Sequence, residues 1–154
     1  MAHIICIDPG RTTGLVILDN IDYAKRSYNI CFVVEIDWDH RSELRNILEA
    51  FSVDLDAIVM ENFLLYPSRA VNQSYDDMPA PKVIERITVY SEQLGIVDKI
   101  HLQLASTVYL AAGVKLPIPI NHYGQLAKAE HTKMAYRHGR HFILTHKNGV
   151  KKST

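Results

Sequence analysis

The chain has 154 residues, 47% of them hydrophobic, which suffices for one domain with a real core. Its 17 basic and 17 acidic residues cancel, so overall charge marks it for neither nucleic acid nor membrane, and any such signal has to be local. Two cysteines, Cys6 and Cys31, lie in apolar strand-like runs without CxxC or histidine spacing, which predicts buried thiols in a reducing compartment rather than a disulfide or zinc site.

No charged and then apolar leader precedes the first apolar run, and no run approaches the ~18 residues of a membrane helix, so a cytoplasmic chain without a membrane partner is expected. His3 to Asp8 is short, apolar and stopped by Pro9-Gly10, which predicts a strand buried on both faces. Gly14 to Leu18 and Ser27 to Asp37 give two more strands. Leu44, Ile47, Leu48 and Phe51 recur at helical spacing within His40 to Phe51, with charges between them, and predict an amphipathic helix. Ala57 to Glu61 is a fourth strand, again ending on one acid. Phe63 to Ala80 is polar and irregular and predicts a long loop of the kind that often carries function.

Pro81 sits at a favoured first-turn position for the next helix, which runs to Gly95. Ile100 to Leu104 reads as a fifth strand and Ser106 to Ala112 as a short helix. Leu116 to Ile120, with two prolines, reads as an edge strand or extended connection. A last helix is predicted from about Leu126 to Leu144. Three strands together, followed by helices alternating with strands, describe an α/β mixed sheet with helices against its faces.

Asp8 and Glu61 are each the first charged residue after a buried strand. If their strands are parallel neighbours, both carboxylates emerge at one sheet edge, where open α/β sheets place ligands. Two close carboxylates repel, and a magnesium or manganese ion is the simplest positive partner because both prefer oxygen ligands. Gly10 and Gly14 in the intervening turn permit close approach by a phosphate or a nucleic-acid strand. Each acid, taken alone, is also explained as the end of a strand.

Three stretches resemble the RuvC-like Holliday-junction resolvases of the RNase H-like nuclease superfamily, especially short phage-type members: IDPGRTTG from Ile7, IVMENFLLYPS from Ile58 and HTKMAYRHGRHF from His131. The resemblance implies an RNase H-like mixed five-stranded sheet with helices on both faces, spanning residues 1–146, with a basic tail at 147–154. It implies a crossover-junction endodeoxyribonuclease that hydrolyses phosphodiester bonds in branched DNA with two Mg2+ or Mn2+ ions, as a homodimer, in a bacterial cell or a phage-infected host. Asp8 and Glu61 match its first two metal-binding positions. The remaining pair, three apart on the last helix, falls on His131 and Met134.

Histidine suits that third position, but methionine is neutral, soft and a poor magnesium ligand where the pattern has aspartate. Glu130 precedes His131 and points about 100° away on a helix, so it does not simply replace the missing acid. An alternative reading follows: a RuvC-like protein that binds DNA with weakened or absent cleavage. A further rival, the phosphate loop of actin-like ATPases and sugar kinases, needs two domains where this chain has room for one.

From Leu126 onward Lys128, Lys133, Arg137, Arg140, Lys147, Lys151 and Lys152 face only Glu130 in acid charge, and such a segment suits phosphate contacts. His138, His141 and His146 are interspersed without the cysteine or carboxylate spacing of a zinc site. The expected DNA contacts are Arg11, Thr12 and Thr13 in the first turn, Tyr66 and Arg69 in the long loop, and Lys133, Arg137 and Arg140 on the last helix. Trp38, the single tryptophan, is assigned a structural role.

Overall fold

The computed structural model describes residues 2–62, 79–103, 120–121 and 130–150. Strands β1 (His3–Asp8), β2 (Thr12–Asp22) and β3 (Ser27–Asp37) form an antiparallel meander, followed by helix α1 (Ser42–Ala50). Strand β4 (Leu55–Glu61), helix α2 (Pro79–Gln93), strand β5 (Ile100–Gln103), strand β6 (Ile120–Asn121) and helix α3 (Glu130–Thr145) complete the order. The sheet order is β5-β4-β1-β2-β3-β6, with β4 parallel to β1, β5 parallel to β4 and β6 parallel to β3. The five-stranded mixed sheet expected from the sequence is present, and β6 adds two residues to its β3 edge.

The apolar runs are continuous because each central strand is covered on both sides. Ile5, Ile7, Leu15, Ile17, Ile58 and Met60 face a layer that contains Leu44 and Leu48 of α1 and Val83 and Ile87 of α2. The alternate residues Ile4, Cys6, Val16, Leu18, Ala57 and Val59 face Ala135, Tyr136, Phe142 and Ile143 of α3. Period-two alternation thus feeds two cores through one sheet. The buried residues of α1 and α2 recur every four positions, as one face of a helix requires.

Some expectations change. Cys6 is fully buried, whereas Cys31 is exposed, and both are free thiols. Only Val34, Glu35 and Ile36 of β3 are buried; Ile30 and Val33 still pack against the α3 core, but Cys31 falls where the β2–β3 register shifts, between the Ile17–Phe32 and Leu18–Ile30 pairs, and is exposed. Helix α2 begins at Pro79, two residues before Pro81, and β2 is longer at both ends than Gly14 to Leu18. The loop from Phe63, the short helix from Ser106 and the start of the last helix before Glu130 lie outside the described residues. Val150 packs against the α3 core. Among the described residues no helix is long and apolar enough to cross a membrane.

Candidate active site

Strand register assembles the acids. Ile7 pairs with Met60 in the parallel ladder, so Asp8 and Glu61 leave adjacent strands at one edge. On its other side Asp8 pairs with Gly14, and Gly14 with Glu35. Cross-strand partners project to the same face, which here is the α3 side, so three carboxylates and one bare glycine share it.

Gly14 is bare because α3 starts on top of it. A Cβ there would lie 2.2 Å from the His131 carbonyl carbon and 2.6 Å from the Thr132 nitrogen. The space that the sequence reading assigned to a phosphate or nucleic-acid strand is therefore filled by the protein's own helix. Farther along, a Cβ on Gly139 would meet Cys6 Sγ at 2.1 Å, so the helix lies close to β1 through its middle as well. Phe142 is buried between His101 and His146, with ring centroids 4.9 and 3.8 Å away, and holds the far end.

This seating delivers one histidine to each strand-end acid. His131 Nδ1–H donates to Asp8 Oδ2 at 3.1 Å. His138 Nδ1–H donates to Gln103 Oε1 at 3.1 Å, and its Nε2 lies 3.8 Å from Glu61 Oε2. The two histidines are seven residues apart, about 10 Å of helical rise, so α3 crosses the strand ends from β2 toward β5. Asn62 N–H donates to the Gln103 carbonyl at 2.7 Å and ties the end of β4 to β5.

Burial pushes the Asp8 carboxyl above its ordinary pKa, and the Glu61 charge adds to the rise, while the hydrogen bond and charge of His131 oppose it. Burial also raises Glu35, which is 4% exposed, and its Oε1 has no hydrogen-bond partner. The His131 charge and main-chain N–H oppose that rise. Glu35 thus meets the start of α3 from the sheet side, as Asp8 does through the His131 ring.

Met134 is half-buried, and Arg137 donates an N–H to its sulfur at 3.1 Å. Lys133 is exposed, and Arg137 and Arg140 are half-buried on α3. Arg11 and Thr12 line a cavity of about 480 Å³ with Asp37, Trp38, Asp39, Pro79 and Lys82. Trp38 packs on the α1 core and carries the Arg41 guanidinium 4.7 Å from its ring centroid. Thr13 is 2% exposed and donates its hydroxyl to the Gly10 carbonyl, which leaves no hydroxyl hydrogen for a phosphate. Tyr66 and Arg69 lie outside the described residues.

Sequence reasoning missed His138, Glu35 and Gln103 as parts of this cluster. His138 carried a signal, since seven residues after His131 is two turns along the same helix face. Glu35 carried one too, as a lone acid inside an apolar strand. Gln103 had none before β5 was placed beside β4.

The donors suit a divalent cation in kind: two carboxylates that repel each other, and a buried imidazole nitrogen without a hydrogen-bond partner, 3.8 Å from Glu61 Oε2. Among the described residues, no three histidine, cysteine, aspartate or glutamate side chains converge as a ready-made metal cage. Bound water or phosphate oxygens would have to complete the shell, as is usual for magnesium.

A mixed sheet with a β1–β2–β3 meander, parallel β4 and β5, strand-end acids and a covering C-terminal helix defines the RNase H-like fold, in the form that RuvC has. The chain is similar to the Thermus thermophilus RuvC structure, with a TM-score of 0.65 and 12% sequence identity over 97% of this chain and 98% of that one. It is also similar to the Fowlpox virus resolvase, solved as a complex with its substrate Holliday junction DNA, with a TM-score of 0.58 and 12% identity over 91% and 97% of the two chains. No protein-family profile matches the sequence, and neither does any curated protein.

Proposed function

We propose that this protein is a metal-dependent endonuclease that cuts branched DNA, with four-way junctions as its substrate class. The observation that supports this most directly is the placement of Asp8 and Glu61 at the ends of adjacent parallel strands, beneath α3, in a RuvC-like fold. The Fowlpox virus neighbour, solved with junction DNA, supports the substrate class. Asp8 and Glu61 would hold the metal, with His131 beside Asp8. A bound divalent ion supplies an activated water and stabilises charge on the leaving oxygen. Asp8 and Glu61 fix the site at the sheet edge, and His131 orients Asp8 and holds a proton at Nδ1.

Arg11, Lys133, Arg137 and Arg140 are assigned to phosphate contacts, Thr12 to the same edge as Arg11, and Tyr66 and Arg69 to contacts from the loop. A junction offers two strands to cut, which two copies related by a two-fold axis would serve. A second reading, junction binding without efficient cleavage, rests on Met134 and the Arg137 donor turned to its sulfur.

The deciding experiment uses a labelled four-way junction and a linear duplex, in magnesium and in manganese, with the native protein, Asp8→Asn and Met134→Asp. Junction-selective nicking that Asp8→Asn abolishes is the expected result. Binding without nicking, with cleavage appearing only in Met134→Asp, favours the second reading. Absence of junction selectivity in both binding and cleavage refutes both.

A further inference from the structure

We infer that His138, through Nε2 and together with Glu61, binds a divalent cation of the manganese type, taking over the role that Met134 cannot fill; this rests on the metal-dependent reading above. His138 is 0% exposed and its Nε2 has no hydrogen-bond partner, which is uncommon for a buried polar atom and calls for an explanation. Gln103 Oε1 only accepts, so a proton sits on Nδ1, and Nε2 is the ring nitrogen left to carry a lone pair toward a cation. Ligating histidines are oriented in this way, by a second group on the far ring nitrogen.

The Nε2 to Glu61 Oε2 separation of 3.8 Å is too long for a hydrogen bond. It is short enough for both atoms to reach one cation at bond lengths of about 2.1 Å each. The arrangement is also held together: Gln103 pairs with Glu61 in the β4–β5 ladder, and Asn62 N–H closes onto Gln103. One turn earlier on the helix, Met134 offers a sulfur that Arg137 already occupies.

Replacing a carboxylate with an imidazole changes the cation preferred. Manganese, like magnesium, prefers oxygen, but as a first-row transition metal it accepts one imidazole nitrogen at less cost than magnesium does. The site should therefore favour manganese over magnesium, and the preference should reside in His138.

Calorimetric titrations of the full chain with manganese chloride and with magnesium chloride test this, using native protein, His138→Asn, Glu61→Gln and Asp8→Asn. His138→Asn should weaken manganese binding at least about tenfold and magnesium binding less than about threefold, since even outer-shell changes cost ligands 10- to 100-fold. Electron spin-echo spectroscopy of the manganese-loaded His131→Asn protein, in which His138 keeps its native surroundings, should still show coupling to an imidazole nitrogen. That measurement stands even where His138→Asn fails to fold. Manganese binding that Asp8→Asn and Glu61→Gln weaken, but without nitrogen coupling in His131→Asn, overturns the inference and leaves the metal-dependent reading intact. Manganese binding that neither acid variant alters overturns both.

Discussion

Gly14→Ala separates the seating of α3 from every generic effect of the substitution. Gly14 does not occupy a left-handed conformation, so alanine is compatible with its backbone, and glycine to alanine at such a site usually stabilises by about 0.4–1 kcal/mol. Here the new Cβ would sit 2.2 Å from a main-chain carbon of His131, against 3.4 Å or more for an ordinary contact. The start of α3 must therefore retreat by about 1 Å, and because the obstacle is backbone, no rotamer change relieves it. Overpacking of this kind costs about 1–3 kcal/mol, and the upper end is expected. The same retreat draws His131 from Asp8, now 3.1 Å apart, and a displacement of about 1 Å is worth about 100-fold in rate. Urea denaturation with an unchanged slope and junction nicking in manganese measure the two effects. A variant whose stability stays within about 0.5 kcal/mol of the native protein would refute the account of how α3 meets the sheet.

The raised pKa values of Asp8 and Glu35 mean that the folded protein holds these protons more tightly than the unfolded chain does. Without metal, stability should thus fall as pH rises from about 4 through the shifted values, and Asp8→Asn should be more stable than native protein at pH 7 in a denaturant series. An Asp8→Asn protein no more stable than native would show that burial is not what raises the pKa. Titration with an aromatic disulfide reagent should detect the exposed Cys31 in the native state and Cys6 only after unfolding, because burial raises the Cys6 thiol and shields it. Trp38 reports on the cavity it shares with Arg11 and Lys82, so junction DNA should change its emission. Arg11→Ala should lower the salt dependence of binding by about one phosphate contact, and an unchanged slope would remove Arg11 from the interface.

What the sequence made legible was what depends on local pattern. His3 to Asp8 and Ala57 to Glu61 announce strands through composition, and a short apolar run ending on one acid implies a carboxylate at a sheet edge. Their adjacency needed strand order, which local pattern does not encode; in the sequence it is only a condition, and the parallel β1–β4 ladder meets it. Cys31 misled because Ile30 and Val33 beside it do pack on the α3 core, whereas Cys31 itself falls at a shift in the β2–β3 register that an apolar run does not announce. Gly14 misled differently: the need for a missing side chain was legible, but what fills the gap arrives from about 120 residues later in the chain. His138 was visible on the correct helix face yet carried no meaning until β5 placed Gln103 beside Glu61.

Two buried atoms beneath α3 bear on the chemistry of this site. Glu35 Oε1 and His138 Nε2 are both buried without a hydrogen-bond partner, and both lie along the same short stretch of α3 that covers the strand ends. Leaving a buried donor or acceptor unsatisfied costs about 1–3 kcal/mol, a large fraction of a domain's net stability. Leucine or valine at either position would continue the apolar faces on which α3 already packs and would remove that cost. His138 Nε2 lies 3.8 Å from Glu61 Oε2, where one cation would recover its cost, whereas Glu35, three strands from Glu61, takes a hydrogen bond from the His131 main chain. Metal binding should therefore raise the unfolding midpoint of the native protein, and removal of the metal by a chelator should reverse that rise. A midpoint indifferent to manganese at saturating concentration would mean that these groups serve something other than a cation.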